Sequence, residues 1–411
     1  MNPERRIIML TPEPRSGAAR YVYELVRSLA GIHAPIVLCC PSNFEHLPAL
    51  QASGVEVFPL GARGVEPGSL PERVLRNFRF VAQAIWYQWC LVKTGDVVHI
   101  QFPVYFPLGL SFFLIAALKN CPIVFTVHDP RPHKSVWPGW LHPAEKWMSA
   151  LAYKLSRRVI VHNEDGRDTL IREFQLDPGK LSIISHGPYE PANRRAPFPA
   201  FDSLRLLAFG SIRENKGLHL AIQAVQSINT RGGVRVHLTI AGSVANARER
   251  DYWSECRTLI NREPGNINVI ERYISEPEVE ALVADHHAFL LPYLNFASDS
   301  GVASLALAHR RPILATNAGG LGTLLNECSC GILIPSPTVE GVATAIVTAI
   351  QAGARRLERM GSDGEIFFSS VRSWQDIAGK TAALYAELLE DHERSLTNEN
   401  VSGKQVEARV E

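Results

Sequence analysis

The chain lacks a charge excess, a disulfide framework, a long apolar run and an Asp-x-Asp metal motif, and each absence removes a class of function. Lys and Arg number 42 against 41 Asp and Glu, a net of +1. That balance gives no bulk attraction for nucleic acid or an acidic membrane, so a polyanion site has to be a local patch. The seven cysteines, Cys39, Cys40, Cys90, Cys121, Cys256, Cys328 and Cys330, are odd in number and fall mostly in apolar strand-like runs. They read as buried thiols of a reducing compartment. Cys328 and Cys330 have neither a second pair nor histidines at zinc spacing, and read as structural. The apolar run after Arg6 is too short for a secretion signal, and the longest run, Phe106 to Leu118, falls short of the ~20 residues of a spanning helix. The expectation is a cytoplasmic protein, free or peripheral at the inner face of the membrane.

What is present is an ordinary globular composition, 46% hydrophobic and 20% charged over 411 residues, enough for two domains with full cores. In the first half, short apolar or β-branched runs at Ile7–Thr11, Ile36–Cys40, Val55–Leu60, Val97–Phe102, Ile123–His128 and Val159–Asn163 alternate with amphipathic stretches. Helices are expected from about Ala18 to Ala30 and from Leu70 to Val92. Near-continuous apolar strands separated by helices predict a parallel sheet covered on both faces. Between Pro188 and Asp202 the sequence PYEPANRRAPFPAFD has linker composition. The pattern then restarts, with strands near Leu204–Phe209, Val236–Ala241, Ile267–Glu271, Ala288–Pro292, Ile313–Thr316 and Ile332–Ile334. A last amphipathic helix is expected within VRSWQDIAGKTAALYAELL, and the polar residues after about Asp391 are expected to fray. Two such α/β units in series predict a ligand crevice between domains at the carboxyl ends of the strands.

The stretch with the most specific chemistry runs from Leu204 to Ala224, LRLLAFGSIRENKGLHLAIQA. An apolar strand leads to a glycine turn holding Arg213 and Lys216, and a helix opens near Gly217. Two cations and unpaired backbone N–H groups at one helix N-terminus favour a phosphate. The turn is not a P-loop, because Asn215 stands where the glycine before the lysine belongs. On spacing alone, two solvated cap cations are the simpler account.

FGSIRENKGLHLAIQA, LTIAGS, AFLLPY and SGVASLALAHRRPILAT in the carboxyl half, TVHDPRPH and SIISHGP in the amino half, and SWQDIA near the end together resemble glycosyltransferase family 4 over almost the whole chain. The resemblance implies an α/β GT-B fold, two doubly wound parallel-sheet domains facing a central cleft. The acceptor-side domain would cover residues 1–190, with a helix over 371–390 packing back on it. The donor-side domain would cover 203–370, and 391–411 would be a disordered tail. The implied activity is a retaining hexosyl transfer from a nucleotide-diphosphate sugar to a glycan or lipid-linked acceptor, in bacterial polysaccharide or glycoconjugate assembly.

The resemblance also implies residue roles. Arg213 and Lys216 would grip the diphosphate beside Gly210, with no metal and no other cofactor, since cations and helix N-termini can stabilise a departing diphosphate. Ser298 to Val302 would form a second cradle, with Ser300 offering its hydroxyl, Gly301 letting the donor approach the backbone, Val302 beside it, and Asp299 reaching a sugar hydroxyl. Here the chain departs from the family pattern: Ala297 and Leu305 stand where two glutamates are usual, so those glutamates' contacts to sugar and ribose are not provided for. His128 would lie near the reacting centre, or else bond to Asp129 as a cap. Asp129, Arg131 and His133 would orient an acceptor or form a structural turn. His99 and Gln101 would line the acceptor side or bond within the sheet edge. Gly17 would bring its backbone under the donor phosphates, and Tyr273 and Ile274 would pack the nucleobase or the core. No carboxylate is placed to serve as nucleophile, which favours same-face attack.

The helix Leu70–Val92, with Phe78, Phe80, Trp86, Tyr87 and Trp89, fits a membrane surface or packing on the first sheet. The same choice applies to WLHPAEKWMSALAYKLSRR, with Trp140, Trp147 and Tyr153 beside Lys146, Lys154, Arg157 and Arg158. No nucleic-acid partner is expected. The missing glutamates admit a catalytically silent nucleotide-sugar-binding scaffold or regulator, and the architecture admits a nucleotide-sugar epimerase. Donor turnover separates the first from a transferase, and product release without acceptor separates the second.

Overall fold

The computed structural model describes residues 5–15, 17–32, 35–62, 69–101, 108–130, 140, 142–188, 196–244, 247–263, 266–296 and 298–407. The chain divides into two units, Met1–Ser185 with Trp374–Glu411, and His186–Ser373.

The first unit holds a seven-stranded sheet, built from β1 (Ile7–Leu10), β2 (Ile36–Pro41), β3 (Glu56–Leu60), β4 (Val97–Ile100), β5 (Ile123–Thr126), β6 (Arg158–Val161) and β7 (Leu181–Ile183) in the order β3-β2-β1-β4-β5-β6-β7. Every pairing is parallel. Its helices are α1 (Gly17–Ala30), α2 (Leu47–Ala52), α3 (Leu70–Leu91), α4 (Leu108–Leu118), α5 (His142–Leu155) and α6 (Glu164–Phe174). Both faces of the sheet are covered, which is why β1 and β2 are apolar and buried at every position rather than at alternate ones. Ile7 and Met9 join the core under α1, while Ile8 and Leu10 join the core under α3, α4 and α5.

The second unit repeats the plan with six parallel strands, β8 (Leu204–Phe209), β9 (Val236–Gly242), β10 (Ile267–Glu271), β11 (Ala288–Leu291), β12 (Ile313–Thr316) and β13 (Gly331–Ile334), in the order β10-β9-β8-β11-β12-β13. On one face lie α7 (Leu218–Arg231), α8 (Ala247–Arg262) and the bulk of α12 (Val339–Ser370); on the other lie α9 (Glu276–Asp285), α10 (Gly301–Ala308) and α11 (Gly320–Glu327). The proline-rich linker is anchored from Ala196 onward: Phe198 and Phe201 pack on the second core, and Arg311 donates to the Pro197 carbonyl at 2.9 Å.

The chain ends with α13 (Trp374–Glu407), whose Trp374, Ile377, Tyr385 and Leu388 share the core of α1 in the first unit. This helix outruns the expected boundary near residue 390. The stretch expected to fray continues the helix to Glu407, and an i,i+4 pair between Glu390 and Arg394 (3.5 Å) carries it past Leu389, the last core residue. The cysteines are buried except Cys90. No helix among the described residues is long and apolar enough to cross a membrane.

Candidate active site

Strand order reverses once in each sheet, between β1 and β4 and between β8 and β11. Loops leaving such a pair of strands diverge and open a crevice at the carboxyl edge, the usual ligand position in this architecture. In the second unit these loops carry the glycine turn and its aromatic neighbours. Gly217 has φ +63, and a Cβ there would stand 2.1 Å from the Pro292 carbonyl oxygen, so this position requires glycine. Arg213 precedes a short 3-10 turn, Glu214–Lys216, before α7 starts at Leu218. The Leu294 N–H donates to the Asn215 carbonyl at 2.8 Å, joining the loops after β8 and β11.

Lys216 Nζ lies 3.7 Å from the centre of the Tyr293 ring and 5.4 Å from that of Phe296. Aromatic faces hold an ammonium in place without neutralising it. Among the described residues neither Arg213 nor Lys216 pairs with a carboxylate. Gly210, Ser211, Lys216 and Tyr293 line a small open recess. Tyr293 and Phe296 were not singled out from the sequence; the one available signal was the tyrosine closing AFLLPY.

The start of α10 stands beside this turn, since a Cβ on Gly210 would touch Val302 Cγ2 at 3.4 Å. Ser300 caps α10 by accepting from the Ala303 N–H at 3.3 Å, and a Cβ on Gly301 would meet nothing within 4 Å. The space in front of Gly301 is therefore open to a ligand. Asp299 departs from the expectation of a sugar contact. Its carboxylate accepts from the His186 N–H at 3.3 Å and lies 3.9 Å from the Arg372 guanidinium, so the protein itself engages it. Leu305 is packed in the core of the second unit, and Ala297 lies outside the described residues.

Beyond β10, Tyr273 is 55% exposed whereas Ile274 is buried in the core, so only the former offers a side chain to a base. The neighbouring loop is fixed by Arg272, whose fork meets Glu278 at 3.1 and 2.6 Å. Those bonds, with those from Ser275, hold the Glu278 carboxyl at about 2.

In the first unit His128 lies two residues past β5, at the carboxyl edge of the sheet. His162, just past β6, sits behind it with Nδ1 2.8 Å from the Ile184 carbonyl and Nε2 2.9 Å from His128 Nδ1. A carbonyl only accepts, so His162 carries its proton on Nδ1 and, when neutral, accepts at Nε2 from His128 Nδ1–H. Neutral His128 then presents Nε2 as an acceptor. Tyr21 of α1 closes on this pair, its ring centre 4.7 Å from that of His128 and 5.3 Å from that of Trp374 in α13. Gly17 opens α1 in an exposed position, and Asp129 is half-buried. Arg131 and His133 lie outside the described residues.

His99 and Gln101 do not line an acceptor surface. Both are fully buried; His99 bonds Thr126 Oγ1 at 2.7 Å and the Tyr385 hydroxyl of α13, and Gln101 Nε2 is 3.1 Å from His99 Nε2. Burial drives the His99 imidazole down to about 3, so it stays neutral.

Two family models match this chain: Glycosyltransferase Family 4 over residues 15–187 and Glycosyl transferases group 1 over residues 203–352. A D-inositol 3-phosphate glycosyltransferase of Corynebacterium glutamicum is 25% identical over 76% of this chain and 75% of its own. A glycogen synthase of Mycobacterium tuberculosis is 24% identical over 92% of this chain and 94% of its own. Among solved structures, the sucrose-phosphate synthase of Thermosynechococcus elongatus superposes with a TM-score of 0.71 at 16% identity, covering 94% of this chain and all (100%) of that one. Anabaena HepE in complex with UDP-glucose superposes with a TM-score of 0.68 at 15% identity, covering 93% of this chain and 99% of that one. The chain belongs to glycosyltransferase family 4 and is a glycosyltransferase with the GT-B fold.

Proposed function

We propose that the protein moves a sugar, with retention and without a divalent metal, from a nucleoside diphosphate sugar to a hydroxyl of a glycan or lipid-linked acceptor. The observation that carries this reading is Lys216, held on the Tyr293 ring at the switch point of the second sheet beside Arg213 and the starts of α7 and α10. A departing diphosphate gains negative charge in the transition state. Cations and helix N-termini already in position stabilise that charge without reorganising. Arg213 can take two phosphate oxygens with its fork, and Lys216 acts as a point charge. The exposed Tyr273 ring would stack on the base. Attack from the leaving-group side, with a diphosphate oxygen taking the acceptor proton, gives retention without a protein nucleophile. HepE's complex with UDP-glucose and the glycosyl-transferring relatives support a nucleotide-sugar donor.

Thermal-shift measurements against UDP-, GDP- and ADP-sugars test the site, because a ligand at 100 times its Kd stabilises by about 2.7 kcal/mol. Lys216→Ala and Arg213→Ala are each expected to abolish the shift while the unliganded melting temperature stays put. Donor binding unchanged in both variants removes the site. Transfer that stops in chelator and returns with magnesium or manganese ends the metal-free part. A second reading, donor binding without transfer, is favoured by Leu305 in the core and Asp299 on Arg372; it predicts a thermal shift with no nucleoside diphosphate released.

A further inference from the structure

We infer that the outer face of α3, α4 and α5 docks onto an anionic lipid bilayer, a property that does not depend on the donor reading. The three helices lie side by side on one face of the first sheet, α4 in the middle, with Phe80 and Ala84 of α3, Phe112, Phe113 and Ala116 of α4, and Ala152 and Tyr153 of α5 in the same core. Gln88 of α3 donates to the Phe112 carbonyl of α4 at 2.8 Å, fixing their packing. Sheet packing therefore accounts for Phe80, Tyr87, Phe112, Phe113 and Tyr153 and leaves Phe78, Trp86, Trp89 and Trp147 unexplained.

Those others point outward. Phe78, Trp86 and Trp89 of α3 are 67, 65 and 52% exposed, Leu118 at the end of α4 is 76% exposed, and Trp147 of α5 is 63% exposed. A helix on a globular protein ordinarily turns charged residues away from the core. The middle helix, LGLSFFLIAAL, has no charged residue at all, and its Leu114 is exposed as well. An apolar face of this breadth is unusual on a surface bathed only by water.

Charge selects the occupant. The three helices carry Arg79, Lys146 and Lys154, and Lys93, Lys119 and Arg157 follow their carboxyl ends, with Lys119 Nζ bonded to the Trp89 and Val92 carbonyls and 5.1 Å from the Trp89 ring. The acidic residues of the three helices are Glu72 and Glu145, and Glu72 is engaged at the Ser69 N–H at 2.8 Å. A two-fold contact with a second copy would set this positive rim against itself. An anionic bilayer instead offers phosphate to the rim, an interfacial layer that suits indole rings, and hydrocarbon for Phe78 and Leu118.

The test is flotation of the full chain with vesicles of phosphatidylcholine alone or mixed with phosphatidylglycerol, whose anionic headgroups attract Lys and Arg, in the absence of any nucleotide sugar. Binding is expected to the anionic vesicles, weakening as salt is raised. Trp86→Gln/Trp89→Gln/Trp147→Gln is expected to lower it about tenfold or more, with the melting temperature and any nucleotide-sugar thermal shift unchanged. Lys146→Glu/Lys154→Glu is expected to lower it without touching the aromatic residues. The inference is overturned by a wild-type chain that does not float with anionic vesicles, or by a triple variant that floats as well as wild type. A dimer in solution that the triple variant dissolves, with no vesicle binding, overturns it too. Because no donor is present, loss of the Lys216 site leaves this result unaffected, and the converse holds.

Discussion

At Gly217 two constraints coincide, a backbone in the left-handed region and the Pro292 carbonyl oxygen 2.1 Å from where a Cβ would stand. Gly217→Ala must displace the loop after β11, which carries Tyr293, and is expected to cost about 2–4 kcal/mol in urea unfolding. Its effect on donor binding is expected to resemble that of Lys216→Ala, because the ring under the lysine moves with that loop. At His162 the expected effect is on chemistry rather than folding. His162→Phe keeps a ring of similar size but removes the nitrogen that accepts from His128. We expect kcat/KM to fall by about 10- to 100-fold with the donor thermal shift retained. His162→Gln can still donate to Ile184 and accept from His128, and is expected to recover much of the loss. The ¹⁵N shifts of the His128 ring, reporting protonation at Nδ1 in wild type and Gln but a mixture in Phe, distinguish fixation of the tautomer from simple packing.

Among the elements, α13 has the most consequence for its size. It enters the first unit at Trp374 and meets Tyr21, the residue that closes on His128 and His162, and further along Tyr385 bonds the buried His99. Trp374 is 2% exposed. Trp374→Ala is expected to destabilise the protein by about 3–5 kcal/mol and to lower transfer activity through Tyr21, measured as the urea midpoint and kcat on the same preparation. The amphipathic period of this helix was readable in SWQDIAGKTAALYAELL, because helical spacing is local information. Its length was not, since the residues beyond Asp391 have no apolar period. The linker shows the same limit in reverse: composition marked Pro188–Asp202 as irregular, but Phe198 and Phe201 fasten its later part to the second core.

For the whole molecule, acid lability is the expected consequence of where the histidines fall. Burial holds His99 at about 3 and lowers His286, His287 and His309 below the ordinary imidazole range. These groups take a proton less readily in the fold than in the unfolded chain. Their stabilising contribution is therefore complete above pH ~6.5 and is lost as pH falls from there toward the folded values. His99 alone gives a slope of about 1.4 kcal/mol per pH unit across that window. Urea midpoints are expected to fall steadily from pH 7 to pH 4, and His99→Gln is expected to make that limb shallower even though it lowers stability at pH 7. An identical slope in the variant contradicts the assignment.

The sequence by itself determined the two parallel α/β units, the position of every strand except β7 to within a residue or two, and the glycine turn with Arg213 and Lys216. All of these depend on residues near each other in the chain: apolar runs, helical periods and a turn that requires glycine. Only the tertiary structure decided which side chains meet. VVHI and PIVFTVH look alike as text, yet His99 lies inside β4, hydrogen-bonded to neighbours from β5 and α13, whereas His128 lies past the end of β5 at the open edge. Lys216 rests on Tyr293, and Asp299 turns to Arg372, because strand order places the loops after β8 and β11 together and brings the end of α12 to the start of α10. Side-chain roles at those points follow from pairing between distant segments, which hydrophobic period does not encode.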